Sequence, residues 1–300
     1  MAYNWISVLG HFVQEEDVIV FKGGITQGED GPPYPYVGNH LCDQNFDGGT
    51  ISGEIQFVSS VEKSGCEFIL YYDPSNQRFT TAGLGGGGLC AVRSWDGKKW
   101  FAHAIVGDKA ELIPDRSYSL RVIVQGSLVT VKLDGVNVLV VNLPFSLPRG
   151  QSGIWCVGEN DIRIRNYQIS SVQAKAFVIM QFTPPYNELY SDVIVPVCKD
   201  LGLIPIRADE MSGPGLIITD IAREIMEARV IIADITPANP NVYYEVGYAH
   251  AIGKPVILIA EKPPSQLPFD VSGFRVLRYE NTIGGKAKVE TGLRKHLDAI

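Results

Sequence analysis

The chain has 300 residues, 45% hydrophobic and 20% charged, with a formal charge of −7. That composition is globular rather than disordered, and the length suits one large domain or two ordinary ones. Acidic residues outnumber basic ones in both halves, which argues against a phosphate-backbone binder, and no nucleic acid is expected as a partner.

No apolar run reaches the length of a membrane span, and the first twenty residues carry acids early with no basic n-region, so neither a membrane anchor nor a signal peptide is expected. The five cysteines are widely spaced, without a CxxC or Cys/His cluster. Free thiols in a reducing cytoplasm, and no metal site, are the expectation.

Residues 1–172 read as an antiparallel β-sandwich of jelly-roll type. Short alternating runs recur between turn signals: "GTISGEIQFVSS", "CEFILYYD", "GQSGIWCVG", "DIRIRNYQIS". In "SLRVIVQGSLVTVKLDGVNVLVV", two-residue turns at Gln125-Gly126 and Asp134-Gly135 are predicted between strands rich in Val, Ile and Leu. Gly85 to Gly88 form a tetraglycine stretch with no Lys-Ser/Thr after it and no helix beginning there, so it reads as a hairpin tip rather than a phosphate loop.

From Ala176 the grammar changes. "AFVIMQF" is a continuous apolar run, as in a strand buried on both faces. A helix near residues 186–201 follows, then "LIPIRAD", "GLIITDIAREIMEA", "RVIIADI", "NPNVYYEVGYAHAIG", "KPVILIA", "GFRVLRY" and a last helix near residues 286–299. Strands and helices alternate, which predicts a doubly wound, flavodoxin-like α/β domain over residues 176–300 with a five-stranded parallel sheet. The fold class is therefore α+β with two domains, joined by a short linker around residues 171–175.

In such a sheet, ligands bind outside the carboxyl ends of the strands, where the strand order reverses. For the order 2-1-3-4-5 those ends carry Gln181, Phe182 and Asp234, with Asp209 closing strand two. Either Asn239 or Asn241 caps the helix that follows strand three, with Pro240 at its start. Glu245 then lies in the first two turns, where the helix dipole favours an ionised carboxylate. Asn241, Glu245 and Tyr248 share one helix face, and Tyr244 lies on the next. Packing is the stronger reading for the tyrosines, as it is for His250, whose spacing points it away from Glu245.

Residues 176–300 resemble the nucleoside 2-deoxyribosyltransferase-like and TIR-like superfamily. The likeness rests on "FVIMQF", "ADI" at a strand end, "NPNVYYEVGYAHAIGKPVILI" and "PFD" before a late strand. In the deoxyribosyltransferases a Glu before Gly-Tyr/hydrophobic-Ala attacks the anomeric carbon, and Glu245 matches it; an Asp ending the third strand assists, and Asp234 matches it. The family's further Asp is replaced here by Asn239, and the Gly-Thr pair after it by Asn241-Val242. That departure points to the divergent TIR-like proteins of bacterial defence. By this resemblance the expected activity is NAD glycohydrolysis in a cytoplasmic antiviral effector. NAD is then a substrate, and no cofactor is needed. Glu245 and Asp234 are the expected catalytic residues, and Gln181, Phe182, Asp209, Asn239, Asn241, Tyr244 and Tyr248 the substrate-binding ones. A nucleotide sensor or scaffold, a true deoxyribosyltransferase, and a synthase of an ADP-ribose-derived signal remain alternatives.

Residues 1–172 resemble, more loosely, concanavalin-like lectin, glucanase and laminin-G-like sandwiches. The ExDxxE triplet of the glycosidases is absent from them. Trp95, Trp100, Phe101 and Trp155 are open between stacking on a sugar and packing in the core. A sensing or assembly role is expected, with a sugar or signal ligand and a homo-oligomer or filament as partners.

Overall fold

The computed structural model describes residues 3–27, 32–210, 217–262 and 273–298. Chain contacts divide it into two compact units. The first comprises residues 1–124, 128–142 and 147–172; the second comprises residues 173–300 with the short pieces 125–127 and 143–146.

In chain order the first part is built from β1 (Trp5–Leu9), β2 (Phe12–Glu15), β3 (Val18–Phe21), β4 (Ile25–Thr26), β5 (Tyr34–Phe46), β6 (Gly49–Phe57), β7 (Gly65–Asp73), β8 (Arg78–Leu84), β9 (Cys90–Trp95), β10 (Trp100–Val106), β11 (Ser117–Gln125), β12 (Leu128–Leu133), β13 (Val136–Asn142), β14 (Gly150–Gly158) and β15 (Ile162–Ser171). One antiparallel sheet has the order β1-β5-β14-β7-β8-β9-β10, with β4 on β5; the other runs β13-β12-β11-β6-β15-β3-β2. Period-two patterning makes the sandwich. Alternate residues of β6, β11 and β12 are buried, and Phe68 of one sheet meets Tyr167 of the other edge-on at 5.4 Å.

The Asp134-Gly135 turn forms as its sequence dictates. Both residues have positive φ, 48° and 84°, and Leu133 pairs with Val136 across it. The other turn sits one residue later than expected, between Gln125 at the end of β11 and Leu128 at the start of β12, with Gly126 at φ 59°.

The outer face of the first sheet is filled by side chains. Glu67, wholly buried, accepts from Thr81 Oγ1 at 2.5 Å and from Arg93 Nη2 at 2.9 Å. The Arg93 guanidinium lies 4.0 Å from the Trp100 ring and 4.8 Å from that of Trp155. Burial pushes the Glu67 carboxyl up, and the neighbouring Arg93 opposes it. Gly86 lies against this pair; a Cβ there would overlap Glu67 Oε1 and Arg93 Nη2. The tetraglycine stretch is the expected hairpin tip, joining β8 and β9, with Gly86 packed closely and Gly87 exposed.

The second unit holds β16 (Lys175–Ile179), α1 (Tyr186–Leu189), a π-helical turn (Tyr190–Ile194), α2 (Val195–Asp200), β17 (Ile204–Arg207), α3 (Ile217–Glu227), β18 (Val230–Asp234), α4 (Pro240–Ala251), β19 (Val256–Glu261), β20 (Val276–Tyr279) and α5 (Ile283–Leu297). Its sheet is wholly parallel in the order β17-β16-β18-β19-β20, the expected 2-1-3-4-5 arrangement. Helix α5 begins earlier than the sequence reading placed it. Thr282 caps it by accepting from Gly285 N at 3.0 Å, so Gly284 and Gly285 lie inside the first turn.

Strand alternation divides the core in two. Ala176, Val178, Val230 and Ile232 pack with Val193, Ile194, Val289 and Leu293 on one face. Phe177, Ile179, Ile231, Ala233 and Ile235 pack with Val242, Val246 and Ala249 of α4 on the other. Among the described residues, no helix is long and apolar enough to cross a membrane.

Candidate functional site

A cavity of about 1190 Å³ opens at the carboxyl ends of the parallel strands, on the α3–α4 face. Eight of the nine residues singled out in the sequence line it: Gln181, Phe182, Asp209, Asn239, Asn241, Tyr244, Glu245 and Tyr248. The ninth, Asp234, does not.

Helix α4 carries most of them. Asn239 is its N-cap, with extended backbone and Oδ1 accepting from Asn241 N at 3.0 Å. This settles the choice between the two asparagines, and Asn239 also lines the cavity. Asn241, Glu245 and Tyr248 face the cavity as their spacing requires, joined by Tyr244, which is 63% exposed. Tyr243 and Tyr248 also pack against the core beneath α4. His250 stacks on Phe274 at 4.3 Å, a structural contact.

Glu245 is half-buried, and burial pushes its carboxyl up to about 7. Desolvation thus opposes the helix dipole at this carboxylate. The dipole acts mainly over the first turn, and Glu245 lies beyond it, where desolvation decides.

Asp234 is 1% exposed. Its Oδ2 accepts from the Tyr279 hydroxyl at 2.8 Å and its Oδ1 from Thr236 N at 3.0 Å. Burial raises it to about 7, the two hydrogen bonds oppose that, and Glu261 adds to it. The pairing of Asp234 with Glu245 is not what the structure builds. In β18, Val230 and Ile232 point to the face opposite α4, and Asp234 shares their parity. Tyr279, on that same face, takes it up.

The other carboxylates of the cavity wall all have cationic partners. Asp209 is gripped at both oxygens by Arg207, at 2.6 Å from Nε and 2.7 Å from Nη2. Asp220 pairs with Arg223 on α3. Glu224 accepts from Lys175 Nζ at 2.9 Å. Of the carboxylates lining the cavity, Glu245 alone makes no ion pair among the described residues.

Arg207 was not singled out in the sequence. It is 8% exposed, donates from Nη1 to Asn187 Oδ1 at 3.0 Å, and lies between two rings, 5.3 Å from Phe182 and 4.3 Å from Tyr190. Tyr190 donates to Glu210 at 2.7 Å. Arg207 thus ties the loop after β16, the π-helical turn and the end of β17 into one wall. The "PFD" segment of the sequence, residues 268–270, lies outside the described residues.

In the first unit, Trp155 is buried and packs edge-on to Trp100 at 5.2 Å, while Trp95 lies 5.5 Å from Trp100. Trp155 belongs to the buried cluster of the outer face, and Trp95 and Trp100 are partly buried against it. Phe101 stays exposed, with Lys99 Nζ 4.7 Å from its ring.

No family model matches the chain, and no curated protein matches it. Solved structures resemble its first part. The carbohydrate-binding module CBM66 from Bacillus subtilis aligns with TM-score 0.42 and 15% identity, over 54% of this chain and 92% of its own. A Bacillus licheniformis β-glucanase aligns with TM-score 0.36 and 11% identity, over 55% and 92%. A Bacillus subtilis protein described as having a galectin-like fold aligns with TM-score 0.35 and 12% identity, over 54% and 96%. At these scores and identities the likenesses carry nothing about which residues of this chain bind or react.

Proposed function

We propose that the α/β unit cleaves the N-glycosidic bond of a nucleotide, with NAD as the favoured substrate and Glu245 as the acting carboxylate. The observation that carries this reading is the state of Glu245: a half-buried carboxylate facing a cavity in which every other lining acid is neutralised. Such a group stabilises positive charge in a bound ligand more strongly than a solvated one. The resemblance of "YYEVGYAHA" to the deoxyribosyltransferase and TIR-like motif points the same way.

In NAD the nicotinamide ring is already cationic. When its bond to C1′ breaks, the electron pair goes to the ring nitrogen and neutral nicotinamide leaves without needing a proton. C1′ is left oxocarbenium-like, and the Glu245 carboxylate stabilises it. Water then adds to C1′ and gives up a proton, giving ADP-ribose. The reaction asks for one carboxylate rather than two, which suits a cavity that Asp234 does not reach. The bound cation also draws the Glu245 proton off, since a nearby positive charge favours the ionised form.

The test is NAD consumption by wild type and Glu245→Gln over a protein concentration series, with products resolved by mass. Nicotinamide release by wild type and none by the variant is the expected result. Equal turnover by both overturns the reading.

For the first unit we favour assembly over sugar binding. Of the four candidate stacking aromatics, Trp155 is buried and Trp95 and Trp100 are partly buried against it. The edge strand β1 exposes Ile6 at 70%, with Val8 and Leu9 also exposed. The same concentration series reads this, as a steep rise of specific activity with protein.

A further inference from the structure

The wall of the cavity carries a division of charge that the proposed reaction does not use. At the end built by the loop after β16 and the end of β17, Asp209, the acid that lines the cavity there, lies in a bidentate pair with Arg207, while Glu210 beside them accepts from Tyr190 and Arg207 N and does not line the cavity. Phe182 belongs to this end. Phe182 lines the cavity, is 44% exposed, and has the Arg207 guanidinium 5.3 Å from its ring centroid. On the α4 wall, Glu245 is unneutralised. A flat cationic ring gains more from an unpaired acid on the cavity wall than from a paired one. The aromatic face beside the paired acid is further disfavoured for a cation, because Arg207 already draws on its π electrons. An uncharged, electron-rich ring has the opposite preference and stacks well on such a face.

We infer that Phe182 is the stacking platform for the uncharged purine of a dinucleotide, with Arg207 as the positioning residue beside it, so that the cationic ring is left to Glu245. The cavity then reads its substrate by ring charge, one ring at each end. Arg207 acts through Phe182 and Asp209: it holds the ring in place, through stacking and the Asn187 tether, and cancels an acid that would otherwise invite the cation to the wrong end. The inference rests on the reading that the cavity takes a nucleotide, but it does not need the bond to be cleaved.

The experiment uses two half-ligands, adenosine monophosphate and nicotinamide mononucleotide, titrated calorimetrically into the full chain. The variants are Phe182→Ala, Arg207→Met, their double, and Glu245→Gln, each checked for folding by thermal melting. Phe182→Ala is expected to weaken adenosine monophosphate about tenfold, in line with the loss of one base–aromatic stack, and to leave the nicotinamide nucleotide nearly unchanged. Glu245→Gln should do the reverse. Arg207→Met should weaken the purine probe as Phe182→Ala does, and the double variant should be no worse than Phe182→Ala alone. A merely structural Arg207 would weaken both probes together. If Phe182→Ala spares the purine probe, if it weakens the nicotinamide probe more, or if wild type binds no adenosine monophosphate, the inference is overturned. NAD cleavage that is indifferent to Phe182 sinks this inference alone. Phe182-dependent purine binding without any NAD cleavage sinks the proposed reaction and leaves this inference standing.

Discussion

Asp234 and Glu245 belong to opposite faces of one parallel sheet. Asp234 is held by Tyr279 on the face that packs α5, whereas Glu245 rides on α4 across the other. The two groups titrate near the same pH for the same reason, burial, yet only Glu245 opens on the cavity.

Substitutions at the two sites should therefore separate. Glu245→Gln should abolish nicotinamide release while ligand binding survives. Asp234→Ala should leave kcat/KM near wild type at low temperature but cost about 1–3 kcal/mol of stability, because the Tyr279 hydroxyl loses its buried acceptor. Parallel melting and turnover measurements check both. Loss of turnover in a folded Asp234→Ala protein would restore the acid to the reaction.

Glu245 and Asp234 both contribute to the pH dependence of stability, with the same sign, and substitution at Glu245 isolates its share. Its carboxyl titrates at about 7 in the folded chain, above its unfolded value. Between those two values the folded state binds more protons than the unfolded one, so stability falls as pH rises through that window and levels off above about 7. Glu245→Gln removes this contribution, so denaturation midpoints of variant and wild type should diverge as pH rises to neutrality, the variant being favoured. Turnover that needs the carboxylate should rise over the same range.

The tetraglycine stretch offers a contrast between neighbours. Gly86→Ala drives a Cβ into the Glu67–Arg93 pair and should cost about 1–3 kcal/mol. Gly87→Ala meets side-chain atoms of Ile105 and Arg93 no nearer than 3.4 Å, ordinary contacts, and should be close to neutral. Urea denaturation of the two variants distinguishes them.

Arg93→Ala should be among the most damaging changes to the sandwich. It leaves Glu67 buried without its cation, a loss of about 3–5 kcal/mol by comparison with other broken buried pairs. Adding Glu67→Gln should recover part of it, and a double-mutant cycle of unfolding free energies measures how much.

Much of the α/β unit was legible because its signals are local. Asn239-Pro240 marks the start of α4, and helical spacing alone puts Asn241, Glu245 and Tyr248 on one face. The misplacement of Asp234 has an equally plain cause. "VIIAD" is apolar on both faces, so the run does not tell which parity faces which helical layer; only the packed core does. The neutralisation of the cavity acids was less accessible still. Lys175 and Glu224 meet through tertiary packing, and Arg207 gains its meaning from Phe182 and Tyr190, which other parts of the chain bring to it. In the first unit, alternation announced the strands, but whether a tryptophan packs or awaits a ligand depends on the buried Arg93 beside it.

The sheet gives its two acids very different exposure to evolutionary drift. A change at Asp234 is paid in folding and is purged whatever the protein does. A change at Glu245 removes a desolvated charge and leaves the cap, the core and the aromatic wall as they were. On the proposed reaction, one substitution at Glu245 therefore turns a chain that consumes its nucleotide into one that only holds it, with the fold intact.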